Sequence, residues 1–189
     1  MELVNVYDFD KTILPYDSTE AFVKYCFKKY PRSLKPAAPA LLRAPLLLRG
    51  PAGKTRMKEV LYRFLTAIPN IDEELELFWQ ENIGSINQWY INHRRPDDIV
   101  ISASPEFLLR IPQETFGFRL IASRVDKYTG ETMGLNNGGE EKVLRLRQAY
   151  PQVEINEFFS DSRRDEPLAR LAKKAFMVEG ERVFPWPWK

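Results

Sequence analysis

One cysteine and one histidine occur among the 189 residues. A lone Cys26 cannot form an internal disulfide, and so few thiols suit a reducing, cytoplasmic compartment. The single histidine, His93, lies in the polar stretch "NHRRPDD". It leaves nothing from which to build a histidine-rich metal centre, or a histidine-paired hydrolase triad with several candidates. An excess of charge of one sign is also missing. The 28 basic residues nearly balance the 26 acidic ones, for a net charge of +2, so the bulk charge gives no reason to expect a nucleic-acid partner. Long apolar runs are absent too. The longest, "PAAPALLRAPLLL" from Pro36 to Leu48, holds Arg43 and three prolines. It falls short of the roughly 20 apolar residues that a bilayer-spanning helix needs. No basic segment followed by an apolar one opens the chain, so a secretory signal is not expected. No repeat or low-complexity tract appears.

What is present is a globular composition, 44% hydrophobic and 29% charged. The length suits one domain, or one domain with a small inserted module. Leu3 to Tyr7 reads as a buried strand. A helix is expected from about Ser18 to Tyr30, with Asp17-Ser18 as its N-cap. The stretch from Pro31 to Pro51 holds five of the 14 prolines. Beyond it, Met57, Val60, Leu61, Phe64 and Leu65 recur at helical spacing and predict a helix from Thr55 to Ala67. Another is expected from about Asp72 to His93, with an acidic first turn. From residue 98 onward strands and helices alternate: "DDIVISAS", "PEFLLRI", "FRLIASRV", a turn or hairpin at "DKYTGETMG", "GEEKVLRLRQAY", "INEFFSDS", "RRDEPLARLAKK" and "AFMVEGERV". Such alternation marks parallel βαβ units. The fold expected is therefore α/β, with residues 1–14 and 93–189 forming a parallel-sheet core domain. Residues 15–92 form a helical insertion after the first strand.

Ligands of open α/β sheets bind beyond the C-terminal ends of the strands. Three strands end there in polar residues. The first ends on Asp8 and Asp10, with Thr12 behind. The second ends on Ser102, followed by Ala103 and Ser104. The one at 155–159 runs into "SDSRRD", with Asp161 and Asp165. If these strands are neighbours, four acids share one crevice and cannot all stay ionised without a cation. Hard oxygen donors point to Mg²⁺. Lys142, at the start of a helix, can reach the same crevice. A held and aimed aspartate can act as a nucleophile. A second carboxylate two residues on can move the proton. Donors from Thr12, Ser102 and Lys142 suit transferring oxygens, as phosphoryl transfer requires.

These motifs resemble the haloacid-dehalogenase-like superfamily of aspartyl-phosphate hydrolases. Asp8-Phe9-Asp10-Lys11-Thr12 is similar to its first motif, Ser102 to its second, Lys142 to its third, and Asp161 with Asp165 to its fourth. The resemblance spans essentially the whole chain and implies a Rossmann-like sheet sandwiched by helices, with residues 15–92 as a C1 cap. It implies Asp8 as nucleophile and Mg²⁺ ligand, and Asp10 as general acid/base that lends its backbone carbonyl to the metal. Asp161 would be the third protein ligand and Asp165 a supporting acid. Thr12, Ser102, Ala103 and Lys142 would form the phosphate-binding set. "VISASPEFLL", "GEEKV" and "SDSRRDEPLARLA" are most similar to the phosphoserine-phosphatase-like subgroup, and within it to phosphatidylglycerophosphatase C-type proteins. Ser160 stands where many relatives carry Gly, and Arg163-Arg164 where an Asn often precedes the final Asp.

The expected activity is Mg²⁺-dependent phosphomonoester hydrolysis, on a phospholipid head group such as phosphatidylglycerophosphate or on a small soluble phosphate. A phosphotransferase, or a silent binding module on the same fold, remains an alternative. A dehalogenase would give Asp10 no role. "GPAGKT", from Gly50 to Thr55, lacks the glycine a phosphate loop needs at position 48 and follows no strand. Apolar residues interleaved with Arg43, Arg49, Lys54, Arg56 and Lys58 leave two readings: a packed cap helix, or peripheral contact with a membrane face. The terminal "FPWPWK" is expected to pack on the domain.

Overall fold

The computed structural model describes residues 2–50 and 52–188, apart from the side chains of Ala40, Leu41 and Ala44. The chain runs through β1 (Glu2–Tyr7), α1 (Ser18–Lys29), α2 (Leu34–Leu47), α3 (Gly53–Tyr62), α4 (Ile71–Asn82) and α5 (Gln88–His93). It continues through β2 (Ile99–Pro105), α6 (Glu106–Phe116), β3 (Arg119–Ser123), α7 (Glu140–Ala149), β4 (Val153–Ser160), α8 (Glu166–Ala169), β5 (Ala172–Glu179) and β6 (Arg182–Pro185). The six strands form one sheet in the order β3-β2-β1-β4-β5-β6. All pairs are parallel except β5 with β6. The strand order reverses at β1, which lies between β2 and β4. Tyr7 pairs with Val100 on one side and Phe159 on the other. The residues that follow these three strands therefore leave the sheet at one edge.

Alternation along the strands divides the core between the two sheet faces. Val4, Val6, Ile99, Ile101, Ile155 and Phe158 pack with Leu146 of α7 and Leu168 of α8. Tyr7, Val100 and Phe159 face the other way, where they join Phe22, Phe64, Phe78 and Trp79 of the helical segment between β1 and β2. That segment is thus built into the main core. Trp79 also donates its indole N–H to the Leu108 carbonyl of α6 at 2.6 Å, and its burial next to Phe9 and Phe78 gives it edge-on aromatic contacts. From the other direction, the loop after β3 comes down on α3. Gly130, at φ +78°, lies so near Tyr62 that a Cβ there would be 2.4 Å from the Tyr62 carbonyl oxygen.

Three elements differ from the sequence expectation, and the proline-rich stretch takes the helical one of its two readings. The proline-rich stretch is helical as α2, with Pro39 and Pro45 inside it. Each proline removes one ladder bond, so packing and apolar content outweigh propensity there. The helix expected from Thr55 begins at Gly53 and turns 3-10 over Arg63–Ala67. The long helix expected to His93 breaks in the turn Ile83–Ser85, at Gly84 and Ser85, residues that favour a break over helix. Its start is capped by Asn70, which accepts from Glu73 N. The helix expected across "RRDEPLARLAKK" is only Glu166–Ala169. Ala172 and Lys174 instead pair with Ile155 and Glu157 as the start of β5. The tail does pack on the domain through Trp186, which is buried with its ring 5.9 Å from that of Phe158.

Candidate active site

The site grows from the turn that ends β1. Asp8 keeps the sheet register by donating its N–H to the Phe159 carbonyl at 2.9 Å. Ile13 N and Leu14 N then donate to the Phe9 carbonyl at 2.9 and 3.0 Å. Lys11, at φ +58°, is the one non-glycine residue with positive φ among the described residues. This left-handed residue folds the acidic loop back on itself. Thr12 is fully buried, and its hydroxyl accepts from Asp161 N at 2.9 Å. The first acidic loop is thereby fastened to the loop that follows β4.

Asp8 faces Lys142, which stands in the first turn of α7. The Lys142 ammonium donates to Asp8 Oδ1 at 2.8 Å and to Asp165 Oδ2 at 2.6 Å. Ser160 adds its hydroxyl to Asp165 Oδ2 at 2.9 Å. Ser160 thus acts on Asp165 together with Lys142. Burial alone would lower the pKa of Lys142, but attraction to Asp8 and Asp165 outweighs it and leaves it raised. Asp8 is pushed up to about 7 by burial, against the pull of Lys142 and with the repulsion of Asp165 added. Asp8 Oδ2 has no hydrogen-bond partner among the described residues and is the free oxygen of the pair.

Asp10 is held quite differently. Its Oδ1 accepts Ser18 N, at the start of α1, at 2.7 Å. Its Oδ2 accepts the Ser104 hydroxyl. Ser104 in turn contacts Thr19 Oγ1 at 2.7 Å and Ser18 Oγ at 3.3 Å. Burial raises the Asp10 pKa, with Asp17 contributing, while these donors oppose the shift. Asp161 is likewise raised, by burial and then by Asp165.

A cavity of about 880 Å³ opens over these groups. Of the residues expected from the sequence, Asp8, Asp10, Ala103, Lys142, Asp161 and Asp165 line it. Thr12 and Ser102 stand behind the wall, both fully buried, and the Ser102 hydroxyl accepts Ser104 N at 3.0 Å. The rim carries Leu48, Lys54, Leu135, Leu144 and Arg164. Four residues of the surroundings were given no role at the site from the sequence. Ser104 holds Asp10 and is itself held by Thr19, Lys58 donates to the Ala103 carbonyl at 2.8 Å, and Asn137 donates to the Ser102 carbonyl at 2.9 Å.

With Asp17, Glu140 and Glu141 also lining the cavity, seven carboxylates share it with one buried lysine in contact. Burial first, and neighbouring carboxylates after it, displace Asp8, Asp10 and Asp161 toward protonation, a shift that a hard divalent cation would oppose. Among the described residues, no three His, Cys, Asp or Glu side chains already converge at metal-holding spacing. Asp8, Asp10 and Asp161, which line the cavity, supply hard oxygen donors of the kind a hard divalent cation takes.

The haloacid dehalogenase-like hydrolase profile matches residues 6–170. The chain belongs to the haloacid dehalogenase-like hydrolase family. Solved structures of similar fold include a Bordetella pertussis Tohama I protein of unknown function, with 21% identity, a TM-score of 0.75, and 93% of this chain and 89% of that one covered. A Francisella tularensis phosphoserine phosphohydrolase-like protein shares 14% identity at a TM-score of 0.54, over 93% of this chain and 86% of that one. A phosphoserine phosphatase in its apo form shares 14% identity at 0.55, over 92% and 84%. No curated protein matches the chain. The six-stranded, mostly parallel sheet flanked by helices is the Rossmann-like arrangement of this hydrolase family.

Proposed function

We propose that this hydrolase is a Mg²⁺-dependent phosphomonoesterase that works through an aspartyl-phosphate on Asp8. The observation that carries the reading is the asymmetry of Asp8. Lys142 holds one oxygen, the other has no hydrogen-bond partner among the described residues, and Asp8 lines the cavity. Asp8 Oδ2 attacks phosphorus, and the bond to the ester oxygen breaks as that oxygen takes a proton from Asp10. Water then attacks the same phosphorus, giving its proton to Asp10, and the bond to Asp8 breaks to release phosphate. Burial shifts Asp10 toward protonation, the form that gives the proton of the first step. Lys142 and the Ala103 N–H receive the phosphoryl oxygens. Ser102 and Thr12, expected in the same set, stand behind the cavity wall, where each hydroxyl accepts a backbone N–H and braces the loop that lines the site. Asp8 and Asp161, with the Asp10 carbonyl, would hold Mg²⁺, which supplies charge to the transferring phosphoryl group. Asp165 supports Lys142. Residues 15–92 act as the cap over residues 1–14 and 93–189.

For substrate, the rim favours a phosphate attached to an apolar body. Leu48, Leu135 and Leu144 are each about half exposed at the cavity, beside Lys54 and Arg164. Leu42 and Leu46 on α2 extend this apolar surface outward, at 83% and 61% exposure. A lipid phosphate of the phosphatidylglycerophosphate kind, met at a membrane face, suits that rim. Among the described residues no helix is long and apolar enough to cross a membrane. Asp8→Asn is expected to reduce aryl-phosphate turnover with Mg²⁺ to the level of buffer, and wild-type turnover by the variant would refute the mechanism. A panel of soluble phosphates and micellar lipid phosphates tests the substrate. Activity on the soluble compounds alone would refute the lipid reading.

A further inference from the structure

The end of β2 is where the sheet lets go of its backbone. Pairing with β1 runs as far as Val100, and pairing with β3 runs to Ile101 and resumes at Pro105. No ladder pairing passes through Ser102, Ala103 or Ser104, so side chains must fix those peptide planes. Asn137, fully buried in the connection between β3 and α7, supplies most of the fixing. Its amide nitrogen donates to the Ser102 carbonyl at 2.9 Å and to the Ile121 carbonyl at 3.0 Å. Both amide hydrogens are thereby used, and two facing acceptors dictate which way the amide points. Its own N–H donates to Ser123 Oγ at 3.0 Å, and Ser123 donates onward to the Ala103 carbonyl at 2.9 Å. Lys58 of α3 meets the same carbonyl from the other side, at 2.8 Å.

A trans peptide points its N–H opposite to its carbonyl. Holding the Ser102 carbonyl back against Asn137 therefore turns the Ala103 N–H forward, and Ala103 lines the catalytic cavity. Meanwhile Asn137 Oδ1 is buried with no partner among the described residues. That arrangement sacrifices stability, as expected of a side chain retained for what its donors do. We infer that Asn137 is a positioning residue of the reaction. Directly and through Ser123, it fixes both carbonyls around Ala103 so that the Ala103 N–H meets a phosphoryl oxygen. The inference rests on the phosphatase reading and adds a residue to it.

The test compares the wild type, Asn137→Ala and Ser123→Ala by thermal melting, by orthovanadate titration, and by kcat and KM for an aryl phosphate with Mg²⁺. Asn137→Ala is expected to weaken vanadate binding tenfold or more and to lower kcat/KM about a hundredfold, the scale of a misplaced transition-state donor. Ser123→Ala, which loses only the link to Ala103, is expected to fall in the same direction by less. Variants that melt lower yet bind vanadate and turn over as the wild type does would overturn the inference, leaving Asn137 a structural residue. If Asn137→Ala does not fold, Ser123→Ala decides alone, and unchanged vanadate affinity overturns it. A wild type that neither binds vanadate nor hydrolyses the ester would instead overturn the phosphatase reading, and this inference with it.

Discussion

Replacing Lys142 by Met tests the electrostatics at the centre of the site. The side chain is 2% exposed and donates to Asp8 at 2.8 Å and Asp165 at 2.6 Å. Methionine keeps the length and fills the space, so the change removes charge and donors with little change in packing. Two buried carboxylates then face each other without their cation. Breaking a buried ion pair from one side costs about 3–5 kcal/mol, and because the group is almost fully enclosed, solvent screening takes little from that figure. Urea denaturation in metal-free buffer at pH 7 should show the loss as a lower midpoint at an unchanged slope. A second change makes the reasoning sharper. In Lys142→Met/Asp165→Asn one of the two stranded charges is gone, and Ser160, 2.9 Å from Asp165 Oδ2, still has an acceptor. The double variant is therefore expected to be more stable than Lys142→Met alone. Non-additivity of about 1 kcal/mol or more is the mark of coupled neighbours. A loss below about 1 kcal/mol for Lys142→Met, or strict additivity in the cycle, would refute the buried bridge, since surface-type pairs give values of that size.

Asp98 makes a separate pH prediction. It is fully buried, accepts Arg95 N at 2.7 Å through Oδ2, and has an unpartnered Oδ1 among the described residues. Burial raises it from 3.8 to about 6, the Arg95 N–H opposing. The folded state thus holds its proton more tightly than the unfolded state does. Stability from this group is full below about pH 4, falls as pH rises toward 6, and stays low above. Asp98→Asn should therefore raise the melting temperature at pH 8, by up to about 3 kcal/mol of stability, and do little at pH 4. An equal effect at both pH values would contradict the assignment. Gly130→Ala should destabilise by at least about 1 kcal/mol, since the residue combines φ +78° with a Cβ position 2.4 Å from the Tyr62 carbonyl oxygen. An unchanged melt would mean that the loop after β3 does not bear on α3 in solution.

The acids and the lysine of the site were legible because chemistry marks them locally. Each charged group stands at the end of an apolar run or the start of a helix, where a bare charge has no structural excuse. Their convergence followed from βαβ alternation and the position of β1. What stayed hidden was the supporting polar set. Thr19 lies 85 residues from Ser104, Lys58 is 45 from Ala103, and Asn137 is 35 from Ser102. A neutral hydroxyl or amide at such separations leaves no periodic or charge pattern, and the charge of Lys58 reads only as one of several basic residues in its helix. The same holds for Thr12, whose place in the motif suggests a phosphate contact, while only the fold reveals its bond to Asp161 N. In the secondary structure, "ARLAKK" carries a helical composition, yet parallel pairing with β4 draws Ala172 onward into the sheet. Local preference lost to a tertiary partner that the local sequence does not name.

The central claim is that phosphorus is transferred to Asp8. Its most direct test is acid quenching of the enzyme during turnover of a phosphorus-labelled aryl phosphate with Mg²⁺, followed by mapping of the labelled peptide. Label on the peptide that contains Asp8, abolished by Asp8→Asn, is the predicted result. Continued turnover with no label on the protein, or with label on another residue, would contradict it.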